Sequence, residues 1–114
     1  MPDNHFITLD QAIEMTRNYR GSKDDIVKEQ YSGSNLLAVC ETFDRSEFDT
    51  LLSQEGCVSL RIYFGMDTEL KIHSIVVGVN ERGEDQLPDA GNFKIVEVGV
   101  RCPDICPPSS VLNS

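Results

Sequence analysis

The sequence predicts an α+β fold, an antiparallel sheet of about four strands with two to three helices packed mainly on one face. Three observations predict it. Helical periodicity comes first and strand alternation last, in the order ααβαβββ. The last strands are joined by short turns that only antiparallel neighbours can use. The chain has 114 residues and 39% hydrophobic content, which suits one self-sufficient core. Residues 1–101 read as a single domain, and 102–114 as a Cys/Pro/Ser-rich tail.

The first element begins at Thr8. Thr8-Leu9-Asp10-Gln11 has the form of a capping box, and Asp10 adds negative charge where the helix dipole favours it. Leu9, Ala12, Ile13, Thr16 and Tyr19 recur at helical spacing, predicting a helix over 9–20 with Gly21 as its stop. Residues 22–31 carry a thin stripe of Ile26, Val27 and Tyr31, which predicts a shorter helix, marginal by itself. A strand over 36–43 follows the Ser32–Asn35 loop, and Asp44 then caps a helix over 45–54 with Phe48, Leu51 and Leu52 on one face.

The strongest strand alternates Val58, Leu60, Ile62 and Phe64 with Cys57, Ser59, Arg61 and Tyr63. A turn near Asp67 leads into the β-branched run 69–79. Asn80-Glu81-Arg82-Gly83 is a hairpin turn with Gly83 free to adopt positive φ, and a last strand is expected over 93–100. Prolines keep the tail out of regular structure.

Ten Lys and Arg against 19 Asp and Glu leave a net charge of −9. That balance argues against nucleic acid, whose binding needs clustered cations, and against anionic membranes. The longest apolar stretch, Ile75–Val79, is too short to cross a bilayer, and the start lacks a basic and an apolar signal region. With Met at position 1, a cytoplasmic location is expected. In that compartment the four cysteines are expected to be thiols or metal ligands rather than a disulfide frame.

Four stretches together resemble a group of small bacterial proteins without an assigned function. They are the helix from Ile7 to Arg20, the segment from Gln54 to Gly65, the hairpin from Val77 to Gly83, and Cys102-Pro103. The resemblance covers most of the chain and implies no activity, ligand or catalytic residue.

Two constellations carry possible chemistry. Cys102 and Cys106 form a C-x3-C pair that can offer two thiolates to zinc, with Cys57, Cys40, His5 and His73 as further ligands. Plain thiols are the favoured reading, with a zinc site or a disulfide as alternatives, and no cofactor is expected. In the second constellation, strand parity sets Arg61 opposite His73 and Tyr63 opposite Lys71, give or take a step. Arg61, Tyr63 and His73 then form an anion-binding or proton-transferring patch, unless they are simply the wet face of the sheet. Ile75, Val77 and Val79 share parity with His73, so that face turns apolar farther along. Either a bulge near Ser74 shifts the parity or a second subunit covers the face.

The acidic loop with Glu81, Glu84, Asp85 and Asp89 reads as a solvated segment, since its spacing does not match a calcium loop. Nucleophile-elbow, zincin, Walker and dinucleotide motifs are absent from the sequence. The expectation is a binding module that contacts protein, as a homodimer, without catalytic activity.

Overall fold

The computed structural model describes residues 5–97 and 99–114, and its class is α+β. Its elements are helix α1 (Leu9–Ser22), strand β1 (Cys40–Thr42), helix α2 (Arg45–Leu52), strands β2 (Ser59–Met66) and β3 (Ile72–Val79), and strand β4 (Val100–Cys102). Single turns of 3-10 helix occupy Glu29–Tyr31 and Pro88–Ala90. The four strands form two antiparallel pairs, β1 with β4 and β2 with β3, in place of one continuous sheet.

The capping box at Thr8 forms in both directions: Gln11 N–H donates to the Thr8 hydroxyl and Thr8 N–H donates to the Gln11 side chain. The helix does not stop at Gly21. It continues to Ser22, where Lys23 N–H still reaches the Tyr19 carbonyl. No residue of α1 is buried, and Leu9 and Met15 face solvent. The expected helix over 22–31 is a set of turns instead, because Ile26 finds nothing to pack against and stays exposed.

The expected strand over 36–43 shrinks to Cys40–Thr42. Its first half is held by side chains and by β3: Arg101 Nη2 donates to the carbonyls of Asn35 and Leu36, and Ile72 N–H also donates to Leu36. Asp44 occupies the N-cap position of α2, but its side chain makes no capping hydrogen bond. The expected strand over 93–100 contracts to a bridge at Val96 followed by β4, and Val98 within it lies outside the described residues.

β3 is the central strand. One edge pairs with β2 in unbroken register from Ser59↔Val79 to Met66↔Ile72. The other edge is used by Val96, which exchanges backbone bonds with Val76, and by Gln86 N–H, which donates to Gly78. This places Val76, Val77 and Val79 in the core with Leu51 of α2 and Cys102 of β4. It is a small core for this length of chain.

Candidate functional site

The β2–β3 hairpin organises every candidate residue. Its turn is longer than the strand pattern predicts. Asp67 N–H donates to the Lys71 carbonyl, and the Asp67 carboxylate accepts from the N–H groups of Glu69 and Lys71. The five-residue turn moves the register, so Arg61 faces Val77, Tyr63 faces Ile75 and His73 faces Gly65. The expected pairings of Arg61 with His73 and of Tyr63 with Lys71 are therefore corrected. The error is an even number of residues, which leaves each side chain on its predicted face.

Arg61 and Tyr63 do come together, but around a carboxylate instead of an open anion site. Arg61 Nη1 lies 2.5 Å from Asp85 Oδ1, and the Tyr63 hydroxyl donates to Asp85 Oδ2. The Tyr63 hydrogen bond holds the Asp85 carboxyl below its ordinary range, with Arg61 adding to the effect and partial burial opposing it. The same contact with Asp85 raises the Tyr63 phenol and the Arg61 guanidinium. The charge pattern of the 81–89 segment predicts Asp85 in a solvated loop, whereas its carboxylate is held by Arg61 and Tyr63. The signal that finds it is the Asn80–Gly83 turn, which returns the chain antiparallel to β3 and sets Asp85 across from Val79.

His73 sits in a separate cluster. Its Nε2 lies 2.7 Å from Asp67 Oδ2, and its Nδ1 lies 3.6 Å from Glu97 Oε1. The His73 hydrogen bond holds the Asp67 carboxyl below its usual range. The two carboxylates address opposite nitrogens of the ring, so the cluster links the hairpin turn to the 93–97 segment.

The cysteines are also divided. Cys102 and Cys106 are joined in a disulfide with Cα atoms 4.5 Å apart, so the pair expected as thiols is oxidised. Cys57 is free and donates to the Ser59 carbonyl, and Cys40 is free on β1. Among the described residues, no three His, Cys, Asp or Glu side chains gather as a metal site.

The apolar surplus lies on the face opposite to the one expected to need a cover. Val77 and Val79 are buried within the chain, at 2% and 3% exposure, and no bulge interrupts the register at Ser74. Ile62, Phe64 and Met66 on the other face are exposed, Phe64 by 78%. They border a cleft of about 620 Å³ whose walls include Tyr19, Phe43, Phe48, Ile62, Phe64 and Val76. Its one acidic side chain is Glu41, whose Oε1 accepts from the Ser74 N–H and hydroxyl, both at 3.0 Å. Burial of the Tyr19 ring raises its phenol, which donates to the Ala38 carbonyl.

The outer edge of β2 is open. Val76 and Gly78 direct their backbone groups away from β2, so their partners Ile62 and Leu60 direct theirs away from β3. Among the described residues no backbone hydrogen bond reaches that edge. No helix of the described residues is long and apolar enough to cross a membrane. No family model, curated protein or solved structure matches the chain.

Proposed function

We propose that the protein is an interaction module without catalytic chemistry of its own, and that it acts as a homodimer joined through the outer edge of β2. The observation that carries this reading is the unpaired edge itself, eight residues long, with Ile62, Phe64 and Met66 exposed along it. Edges of this length are normally blunted by proline, a bulge or inward charge. Ser59–Met66 has no proline and an uninterrupted register. Its one charged residue, Arg61, is already neutralised by Asp85 on the opposite face.

Charge favours a second copy as the occupant. A chain carrying −9 repels its own copies over most of its surface, yet Ser59–Met66 contains no acidic residue. Antiparallel pairing of β2 with the same strand of a second molecule is self-complementary, as a two-fold interface requires. It also lays the exposed apolar stripes of the two molecules side by side.

Light scattering coupled to size-exclusion chromatography tests the reading. Wild type is expected at twice the chain mass at high micromolar concentration, and Phe64→Lys and Ile62→Lys at the monomer mass with unchanged circular dichroism. A strict monomer for wild type, or a dimer indifferent to both substitutions, overturns it.

A further inference from the structure

The β1–β4 pairing places a third cysteine against the disulfide. The register sets Cys40 directly opposite Cys102, with Glu41 opposite Arg101 and Thr42 opposite Val100. Val39 N–H donates to the Cys102 carbonyl at 2.7 Å, tying the two strands at the cysteine end. Cys102 is bonded to Cys106, four residues on, and Cys40 is a free thiol.

Directly opposed residues in an antiparallel pair have Cα atoms about 4.5–5.5 Å apart and side chains on the same face. Disulfides span Cα separations of about 4.4–6.8 Å. The observed Cys102–Cys106 separation of 4.5 Å satisfies that range, and the general spacing of directly opposed residues puts the Cys40–Cys102 register pair within it as well. Cys102 therefore has two partners within bonding reach, one along the chain and one across the strand. The access of the three sulfurs differs. Cys102 is buried, Cys106 is exposed, and Cys40 is half-buried at the wall of the apolar cleft.

We propose that Cys40, Cys102 and Cys106 form an intrachain thiol–disulfide exchange site. The Cys40 thiol loses its proton to solvent, and its sulfur attacks Cys102 Sγ. A Cys40–Cys102 bond forms as the Cys102–Cys106 bond breaks. The electron pair leaves on Cys106 Sγ, which takes up a proton from solvent. One disulfide and one thiol stand on each side, so no oxidant or reductant enters the step. The products differ in shape and reactivity: one form closes the short loop 102–106, and the other staples β1 to β4 and presents Cys106 as an exposed thiol. Cys57 is the internal control, because its sulfur donates to the Ser59 carbonyl and its residue has no place in the β1–β4 register.

Trypsin separates the two forms. Both Cys102 and Cys106 fall in the peptide 102–114, Cys40 falls in 29–45, and Cys57 falls in 46–61. The Cys102–Cys106 form gives a looped 102–114 peptide, whereas exchange links 29–45 to 102–114. The full-length protein, purified without reductant, is held at mildly alkaline pH, quenched with acid, alkylated and mapped by mass spectrometry without reduction. The expected result is a 29–45/102–114 cross-link that grows with time at the expense of the looped peptide, with alkylated Cys106, and that is absent from Cys40→Ser. A second variant, Cys106→Ser, is expected to form the Cys40–Cys102 bond on mild oxidation. The proposal is overturned if the looped peptide persists with Cys40 alkylated throughout, or if 46–61 enters cross-links as readily as 29–45. It is equally overturned if Cys102 and Cys106 are both free at the start, or if oxidised Cys106→Ser leaves Cys40 and Cys102 as thiols.

Discussion

The backbone of Gly78 lies directly against the side-chain carbonyl of Gln86. A Cβ at position 78 would stand 2.5 Å from Gln86 Oε1, 2.9 Å from Gln54 Nε2 and 3.1 Å from Cys57 Sγ. Gln86 is buried and ties three segments together: its side chain accepts from Gln54 Nε2 and donates to the Glu55 carbonyl, and its backbone N–H donates to the Gly78 carbonyl of β3. Gly78→Ala must push this amide pair apart, and overpacking of this kind costs about 1–3 kcal/mol. Gly65→Ala meets only the tip of the Ile75 side chain, which can turn away, and is expected to cost less. Urea unfolding of the two variants checks the order.

Leu51 and Leu52 are neighbours on α2 with opposite fates, at 0% and 51% exposure. Leu51→Ala leaves a cavity in a core that has few other members, and a loss of about 2–5 kcal/mol is expected. Leu52→Ala is expected to lose far less. Equal losses in chemical denaturation would contradict the placement of the core.

Acid should dismantle the Arg61–Asp85–Tyr63 cluster. The Asp85 carboxyl is held below its ordinary value of 3.8, so its ionised form binds better in the folded chain than in the unfolded one. The resulting stability is fully present above 3.8 and is lost as pH falls through the lower folded value. Asp85→Asn should melt below wild type at neutral pH, and the gap should close as pH drops below that range. A gap independent of pH between neutrality and strong acid would show that the charge of Asp85 is not what stabilises the hairpin.

The Thr8 cap should matter locally. Replacing a capping Thr by Ala costs about 0.5–2 kcal/mol of helix stability. Because α1 contributes no buried residue, Thr8→Ala is expected to speed amide exchange in the first turns of α1 and leave exchange in β3 unchanged. Exchange that rises equally in both elements would mean that α1 and the core unfold as one unit.

Much of the local architecture was legible in the chain. The Thr8–Gln11 box, the β2 alternation, the Asn80–Gly83 turn and the α2 stripe around Leu51 each rest on interactions within a few residues, which short-range pattern reports well. The polar constellation was half legible: Arg61 and Tyr63 share a face by parity alone, but their partner Asp85 comes from a segment that sequence charge marks as solvent.

By itself the sequence determined the α+β class, the starts of both helices, the face each hairpin residue occupies and the acidic character of most of the surface. Those properties depend on periodicity and composition, and they survive an even shift of register. Only tertiary structure decided that Arg101 and Ile72 hold the 35–36 backbone out of a longer strand, and that four strands divide into two pairs. It also decided that β3, bonded on both edges, buries Val77 and Val79 while the outer edge of β2 stays open, and that Cys40 faces Cys102 from a distant part of the chain. The physical reason is common to all of them. Each depends on which distant groups satisfy a given backbone edge or sulfur, and local spacing carries no record of that choice.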